Sequence, residues 1–343
     1  MKLHPEWAVY ESQLHSAPNE KDRNRAFLNS DAGTRLREDV QTSESSLAAR
    51  DGYQIPIRIY QRAKSNDPST ALVIFYHSGG FTNGSLETED LTCRHLALGG
   101  PVTVISVAYR LSPEYLYPIP MNDGWDAFVH ILNNAAQYLA GQTNAARVVL
   151  SGTSSGGQLA AIVSQKASRW FADQQSIPKR PILTFAGVIL RNPVTVCGMK
   201  RDYIPPQFQD CHRSWAPELE TSLLERSEMG ANHDALGVPE SERTSPDAYP
   251  LWGNPAGVPK AYVQICDADI LRDDAVCYAQ ALKNASVDTR VALYPKLPHI
   301  FWIHAPKLKI SNQVQRECVS GLRWILNIEE TKQHLLPSMA EGL

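Results

Sequence analysis

The chain has 343 residues, and its 33 Lys and Arg against 36 Asp and Glu give a formal net charge of −3. This balance lacks the basic excess with which proteins bind nucleic acid or anionic lipid, so we expect neither as a partner. With 43% hydrophobic and 20% charged residues, the composition excludes a disordered chain, and no apolar run approaches the roughly 20 residues that span a bilayer.

The N-terminal residues and the cysteines bear on the cellular compartment. Met1–Trp7 show neither the apolar core nor the cleavage site of a signal peptide, which predicts a cytoplasmic location. The six cysteines are scattered, with no Cys-x-x-Cys pair and no histidine pair at metal spacing. We therefore expect reduced, mostly buried thiols, with no metal and no cofactor.

The N-terminal region predicts helices followed by a hairpin. Residues from about Pro5 to Val40 are polar, with apolar positions near helical spacing that predict two short amphipathic helices. Further on, Ser46–Arg50 and Tyr53–Tyr60 flank the dipeptide Asp51-Gly52. This pattern predicts an antiparallel β-hairpin with a type I′ turn.

From about Ser69, short β-branched runs alternate with helical segments. The alternation predicts right-handed βαβ units, and thus an α/β fold whose mostly parallel central sheet has helices on both faces. Residues from about Thr195 to Trp252 interrupt it and predict an insertion over the carboxyl edge of the sheet. The predicted strands are Ala71–His77, Val102–Ala108, Arg147–Ser151, Gly187–Arg191, Ala261–Cys266 and Thr289–Tyr294, and the predicted helices lie near Asn122–Gln137, Gly156–Ala172, Asp273–Asn284 and Gln313–Asn327.

Two glycine-rich loops follow predicted strands. In Gly152-Thr153-Ser154-Ser155-Gly156-Gly157, the Gly-x-Ser-x-Gly pattern allows a strained strand-to-helix turn that exposes the serine oxygen and points a helix N-terminus at it. In the other loop, Gly79 and Gly80 follow a strand and leave backbone N–H groups unobstructed, so that two of them can point at a developing oxyanion. His77 precedes these glycines, and we expect it to hold the loop by hydrogen bonds rather than to act as a base.

A candidate acid and a candidate base follow the last two predicted strands. Asp269 comes just after Ala261–Cys266, where a carboxylate can orient a histidine, and His299 comes after the last strand. Asp267 is the alternative to Asp269 if the strand register is shifted. His304 is the less favoured alternative to His299, because it falls in the next helical segment.

The order Ser154, Asp269, His299 is that of the α/β-hydrolases, and four motifs between about residues 48 and 326 resemble the hormone-sensitive-lipase-like carboxylesterases of that family. The matched segments are His77–Gly80 for His-Gly-Gly-Gly, Tyr109–Glu114 for Tyr-Arg-Leu-Ala-Pro-Glu, Gly152–Gly157 for Gly-Asp-Ser-Ala-Gly-Gly, and Asp269–Asp273 with His299–Phe301 for Asp-Pro-Leu-Arg-Asp and His-Gly-Phe. The resemblance implies an α/β-hydrolase fold with a helical cap. We expect N-terminal cap helices in residues 1–45 and a catalytic domain in residues 46–343, with the cap insertion at about 195–252.

The resemblance also implies a role for each matched residue. Ser154 would be the nucleophile, His299 the base and Asp269 its orienter, while the amides of Gly79, Gly80 and Ser155 would form the oxyanion hole. The implied activity is cleavage of a small-molecule carboxylic ester, thioester or lactone through an acyl-serine intermediate. An acyltransferase with the same triad and a non-hydrolytic lyase or cyclase are the alternatives, and a homodimer is left open. The candidate substrate-binding residues are Phe81, Phe208 and Trp215.

Four positions depart from the family pattern near the predicted site. Ser78 replaces a glycine of the oxyanion loop, and Thr153 replaces an acidic residue, which predicts the loss of a negative charge beside the nucleophile. Ser155 replaces an alanine and adds a hydroxyl, and Ile300 replaces a glycine, so that it is expected to crowd the pocket wall. None of these changes removes a chemical role, but together they bear on the substrate preference.

Overall fold

The computed structural model describes residues 3–13, 27–63, 69–139, 145–174, 182–198, 200–216 and 223–329. Its strands are β1 (Val40–Ala48), β2 (Gln54–Arg62), β3 (Ala71–Tyr76), β4 (Val102–Val107), β5 (Ala145–Thr153), β6 (Ile182–Arg191), β7 (Lys260–Cys266) and β8 (Asp288–Tyr294). They form one sheet in the order β1-β2-β4-β3-β5-β6-β7-β8. The β1–β2 and β2–β4 pairs are antiparallel, and the other pairs are parallel.

Strand β3 shows why this sheet needs cover on both faces. All of its residues are buried; Leu72, Ile74 and Tyr76 belong to one apolar cluster, whereas Val73 and Phe75 belong to another. Successive side chains of a strand point to opposite faces, so a continuous β-branched and aromatic run is stable only between two layers.

Helices provide these two layers. The first apolar cluster lies under α4 (Ile119–Asn133), α5 (Ala135–Tyr138), α6 (Ser155–Gln174) and α8 (Arg272–Asn284), and the second under α2 (Asp31–Asp39), α3 (Asp90–Ala97) and α10 (Lys309–Ile325). The remaining helices are α1 (Pro5–Glu11), α7 (Arg226–Leu236) and α9 (Phe301–His304). All the predicted strands and helices are present with shifted ends, and the predicted α/β fold is confirmed. The sequence pattern does not predict helix α3, because its buried face includes Arg94 and His95. These two polar residues interrupt the apolar pattern.

The hairpin is present, but its predicted turn is wrong. The amide of Ala49 donates to the carbonyl of Tyr53 (2.8 Å), and the amide of Gly52 donates to the carbonyl of Ala49 (2.9 Å). Gly52 has a φ of 87°, whereas Asp51 is not in the left-handed region. A type I′ turn needs positive φ at both central residues, so this loop is a type I turn closed by a left-handed glycine. β1 also begins at Val40, before the predicted domain boundary at residue 46.

Helix α1 packs against the segment that follows the last strand. Trp7 is fully buried, with its ring centroid 6.3 Å from that of Phe301. The hydroxyl of Tyr10 donates to the carbonyl of His304 at 2.5 Å. The two predicted N-terminal helices therefore correspond to α1 and α2, while residues 14–26 lie outside the described residues.

The predicted insertion consists of short turns and one helix. In its described part, residues 195–198, 200–216 and 223–252, there is no strand; it holds α7 and the 3-10 turns Arg201–Tyr203, Pro206–Phe208, Glu240–Glu242 and Pro250–Trp252. The six cysteines of the chain are free thiols, as predicted, and all are buried except Cys211. None of the helices in the described ranges is long and apolar enough to cross a membrane.

Candidate active site

Ser154 lies in a strained turn between β5 and α6. Its φ is 56°, in the left-handed region that side chains other than glycine rarely adopt. A Cβ atom on Gly152 would lie 2.1 Å from the carbonyl oxygen of Gly156, and one on Gly156 would lie 2.1 Å from that of Tyr76. The two glycines are therefore required for the close approach of α6 to β3 and β5.

Loops after β7 and β8 bring an aspartate and a histidine to this serine. Nε2 of His299 lies 3.0 Å from Oγ of Ser154, and Nδ1 of His299 lies 2.6 Å from Oδ2 of Asp269. Asp269 is fully buried and also accepts hydrogen bonds from the amide of Leu271 (2.9 Å) and Nδ2 of Asn192 (2.5 Å). With Nδ1 donating to the carboxylate, Nε2 is free to accept the hydrogen of the serine hydroxyl.

The distances also decide between the alternative aspartates and between the alternative histidines that the sequence offers. The carboxylate of Asp267 accepts from the amide of Lys296 (3.3 Å) and lies 3.9 Å from the guanidinium of Arg272, so Asp269 is the aspartate that reaches His299. His304 lines the same cavity as Ser154, but the imidazole at hydrogen-bond distance from the serine is that of His299.

The loop after β3 lies across this site. Gly79 and Gly80 have φ values of 131° and 62°, and together with Ser155 they line the cavity that contains Ser154. A Cβ atom on Gly79 would lie 2.0 Å from the carbonyl oxygen of Asn83. The loop can therefore keep this shape only with glycine there, and it brings the predicted oxyanion residues to the cavity of Ser154.

His77 holds this loop in place, as its position in the sequence predicts. Its ring stacks on that of Tyr109 at 4.4 Å, and its Nδ1 donates to the carbonyl of Ser78 at 2.8 Å. The hydroxyl of Tyr109 donates to the carbonyl of His77 at 2.7 Å. Burial lowers the pKa of His77 to about 4, so the ring is uncharged at neutral pH and can make this contact without a counter-charge.

A buried glutamate beside the elbow corrects one expectation from the sequence. Oε2 of Glu89 accepts from Oγ1 of Thr153 at 2.9 Å, and Oε1 accepts from the amide of Ser78 at 3.2 Å. Burial raises the pKa of Glu89, although Arg191 at 3.8 Å opposes this shift. The sequence predicts the loss of a negative charge at position 153, but an acidic group still lies beside Ser154, because the carboxyl group of Glu89 reaches this place from the residue before α3.

The cavity above Ser154 has a volume of about 410 Å³. The core and the insertion both contribute to it, and its apolar lining includes Phe81, Val194, Leu223, Leu224, Met229, Leu236 and Ile300. Ile300 has a φ of 40°, a strained value for a β-branched residue, and it forms part of the cavity wall. Phe81 thus lies where a substrate would contact it.

The other two predicted substrate-binding residues lie elsewhere. Phe208 and Trp215, both described, are buried in the first apolar cluster and do not line this cavity. The ring of Trp215 packs edge-on against His212 at 4.3 Å. Their apolar side chains stabilise the insertion itself, which corrects their assignment to substrate binding.

A family model described as the α/β-hydrolase fold matches residues 73–303. The chain belongs to the α/β-hydrolase family. The esterase LipI of Mycobacterium tuberculosis (strain ATCC 25618 / H37Rv) is 30% identical to this chain over 283 residues. The match covers 81% of this chain and 81% of LipI. The ethyl acetate hydrolase of Pseudomonas putida is 28% identical over 296 residues, covering 85% of this chain and 83% of that one.

A solved structure confirms the fold of this α/β hydrolase. The crystal structure of a vibralactone cyclase superposes with a TM-score of 0.77 at 22% identity, covering 95% of each chain. The family model and the esterase relatives confirm the predicted hormone-sensitive-lipase-like carboxylesterase family and the predicted carboxylesterase-type hydrolase.

Replacing Glu89 with Leu is expected to lower kcat by about 10- to 100-fold, because the amide of Ser78 loses its acceptor and the oxyanion loop loses its position. The hydrolysis rate of 4-nitrophenyl butyrate, followed by the absorbance of the released 4-nitrophenolate, measures kcat. Glu89→Gln keeps an acceptor for that amide and is expected to stay within about fivefold of wild type. Wild-type kcat in Glu89→Leu would contradict this role.

Stability is expected to fall as the pH drops from about 6.5 to 4. Burial lowers the pKa of His77 and of His95 to about 4, whereas in the unfolded chain a histidine titrates near pH 6.5, so the unfolded state binds more protons in this range. Each histidine contributes a slope of up to about 1.4 kcal/mol per pH unit.

Urea unfolding at several pH values tests this dependence. The variant His95→Phe is expected to show a flatter slope of unfolding free energy against pH than wild type, because one buried titrating group is gone. A slope in His95→Phe that equals the wild-type slope would refute the assignment.

Proposed function

We propose that this α/β hydrolase cleaves carboxylic esters of small neutral molecules through an acyl-enzyme formed on Ser154. The observation that carries the proposal is the continuous hydrogen-bonded chain from Asp269 through His299 to Ser154. In such a chain, the imidazole removes the hydroxyl proton as the serine oxygen attacks the carbonyl carbon.

The rest of the cycle follows from the same groups. Asp269 stabilises the imidazolium that forms, and the amides of Gly79, Gly80 and Ser155 donate to the oxyanion. The departing alcohol takes the proton from His299. A water molecule, deprotonated in turn by His299, then attacks the acyl carbon and releases the carboxylic acid.

The cavity supports a neutral substrate. Among the described residues that line the cavity, Glu228 is the one whose side chain ordinarily carries a charge at neutral pH. None of these lining residues is a lysine or an arginine. Burial raises the pKa of Glu228, so even this carboxyl group accepts a proton more readily than usual. An anionic substrate would have no counter-charge here, whereas a neutral ester of modest size fits the mostly apolar lining.

The insertion at about 195–252 is proposed to act as the cap of this site. Five residues of α7 support this role, because they line the same cavity as Ser154; they are Glu228, Met229, Asn232, His233 and Leu236. The name of one relative, ethyl acetate hydrolase, supports a substrate with short acyl and alcohol groups for this chain as well. The cytoplasmic location and the homodimer stay predictions.

Replacing Ser154 with Ala is expected to lower kcat/KM for 4-nitrophenyl butyrate by at least about 10⁴-fold, because the acyl group loses its attachment point. The variant Ser168→Ala, on the same helix, removes a hydroxyl that bonds to the carbonyl of Ser164 and is expected to retain activity. Substantial hydrolysis by Ser154→Ala would refute the nucleophile.

The same assay in ¹⁸O-labelled water separates hydrolysis from the alternatives. Hydrolysis through an acyl-serine places the label in the released acid. Unlabelled products would indicate a lyase or cyclase, and transfer of the acyl group to an added alcohol in place of water would indicate an acyltransferase.

A further inference from the structure

Two buried polar atoms at the cavity lack a partner among the described residues. They are Oε1 of Gln158 and Nε2 of His233, and both residues line the cavity that contains Ser154. Gln158 is 1% exposed and His233 is 9% exposed. An unpaired buried polar group is costly, so native proteins rarely keep one without a use.

The other hydrogen bonds of each side chain determine whether its unpaired atom is a donor or an acceptor. Nε2 of Gln158 donates to the carbonyl of Ala248 at 2.6 Å, and the remaining Oε1 is therefore an acceptor. Nδ1 of His233 lies 3.1 Å from the hydroxyl of Tyr249. Burial lowers the pKa of His233 to about 4, so the ring is neutral at pH 7 and carries one N–H.

The position of that N–H follows from Tyr249. Its hydroxyl lies 3.1 Å from Nδ1 of His233. An imidazole nitrogen is a good acceptor for a phenol hydroxyl, and when Nδ1 accepts from Tyr249, the imidazole hydrogen lies on Nε2. In this tautomer the two residues, both of which line the cavity, offer one acceptor, Gln158 Oε1, and one donor, His233 Nε2–H.

The two residues come from different parts of the fold. Gln158 lies one helical turn after the nucleophile, since its amide donates to the carbonyl of Ser154 at 3.0 Å. His233 lies on α7 of the insertion. A group held between them would bridge the core and the cap within the cavity of the reacting serine.

We propose that Gln158 and His233 form a subsite that binds a hydroxyl group of the ester substrate, an inference that rests on the proposed function of Ser154. The hydroxyl donates to Gln158 Oε1 and accepts from His233 Nε2–H. A carboxylate has no hydrogen to give to the glutamine oxygen, and an ammonium group has no lone pair for the imidazole N–H. The substrate class is therefore a neutral hydroxylated ester, with the hydroxyl on either the acyl or the alcohol side.

Matched ester pairs test the subsite in the full-length protein. On the acyl side the pair is 4-nitrophenyl 3-hydroxybutyrate and 4-nitrophenyl butyrate, and on the alcohol side it is 4-hydroxybutyl acetate and butyl acetate. In at least one pair, kcat/KM is expected to be about 10- to 100-fold higher for the hydroxylated ester, as one or two buried hydrogen bonds provide.

Variants assign this preference to the subsite. In Gln158→Met and in His233→Phe the ratio of kcat/KM between hydroxylated and plain ester is expected to fall to near one. Gln165 is a matched control, because it is buried in the same helix but already bonds to the carbonyl of Pro250 and the hydroxyl of Tyr278. Gln165→Met is expected to keep the wild-type ratio. Since the two test residues lie on different elements, a folding defect in one variant leaves the other to decide.

Two results would overturn the subsite. One is a ratio near one in both pairs for the wild type, as expected if water alone occupies these atoms; the other is a ratio unchanged in both variants. If the plain esters are still hydrolysed with dependence on Ser154, the proposed function stands and only the subsite fails. If no ester is hydrolysed, the proposed function fails, and calorimetric binding of the same pairs to Ser154→Ala decides whether the hydroxyl is preferred.

Discussion

The hydrogen bond between Asp269 and His299 is the interaction on which the site depends. It joins the loops after β7 and β8 and, through Asn192, the end of β6. A fully buried carboxylate is stable only when donors surround it, and here an imidazole, an amide and a side-chain amide provide them. The same bond fixes which nitrogen of the imidazole faces Ser154, so the packing of three strand ends sets the chemistry of the serine.

The buried charged side chains near the turn at Ser154 are also held by hydrogen bonds. Glu89 accepts from Thr153 and from the amide of Ser78, and Arg191 nearby donates to Gln264 at 2.6 Å while its guanidinium lies 4.3 Å from the ring of Trp302. The contacts of Glu89 connect the loop of Gly79 and Gly80 to the turn at Ser154. The acidic group that the family pattern places next to the serine is thus replaced here by one from another segment.

Much of the fold and of the site could be predicted from local patterns in the sequence. Buried strands leave continuous β-branched runs, and the turn at Ser154 needs glycines at fixed places, so both are visible in the chain. Glu89 and Asn192 could not be found in this way, because their roles arise from contacts across the fold. The apolar side chains of Phe208 and Trp215 predict contact with the substrate, but packing inside the protein requires the same property, so the sequence does not separate the two roles.

The most direct test of the account compares two neighbouring aspartates in hydrolysis of 4-nitrophenyl butyrate. Asp269→Asn is expected to lower kcat by about 10²- to 10⁴-fold, because the amide no longer holds the imidazole in the productive tautomer. Asp267→Asn changes a carboxylate that does not reach His299, and kcat is expected to stay near the wild-type value. Equal losses in the two variants, or a larger loss in Asp267→Asn, would contradict the central role of the Asp269–His299 bond.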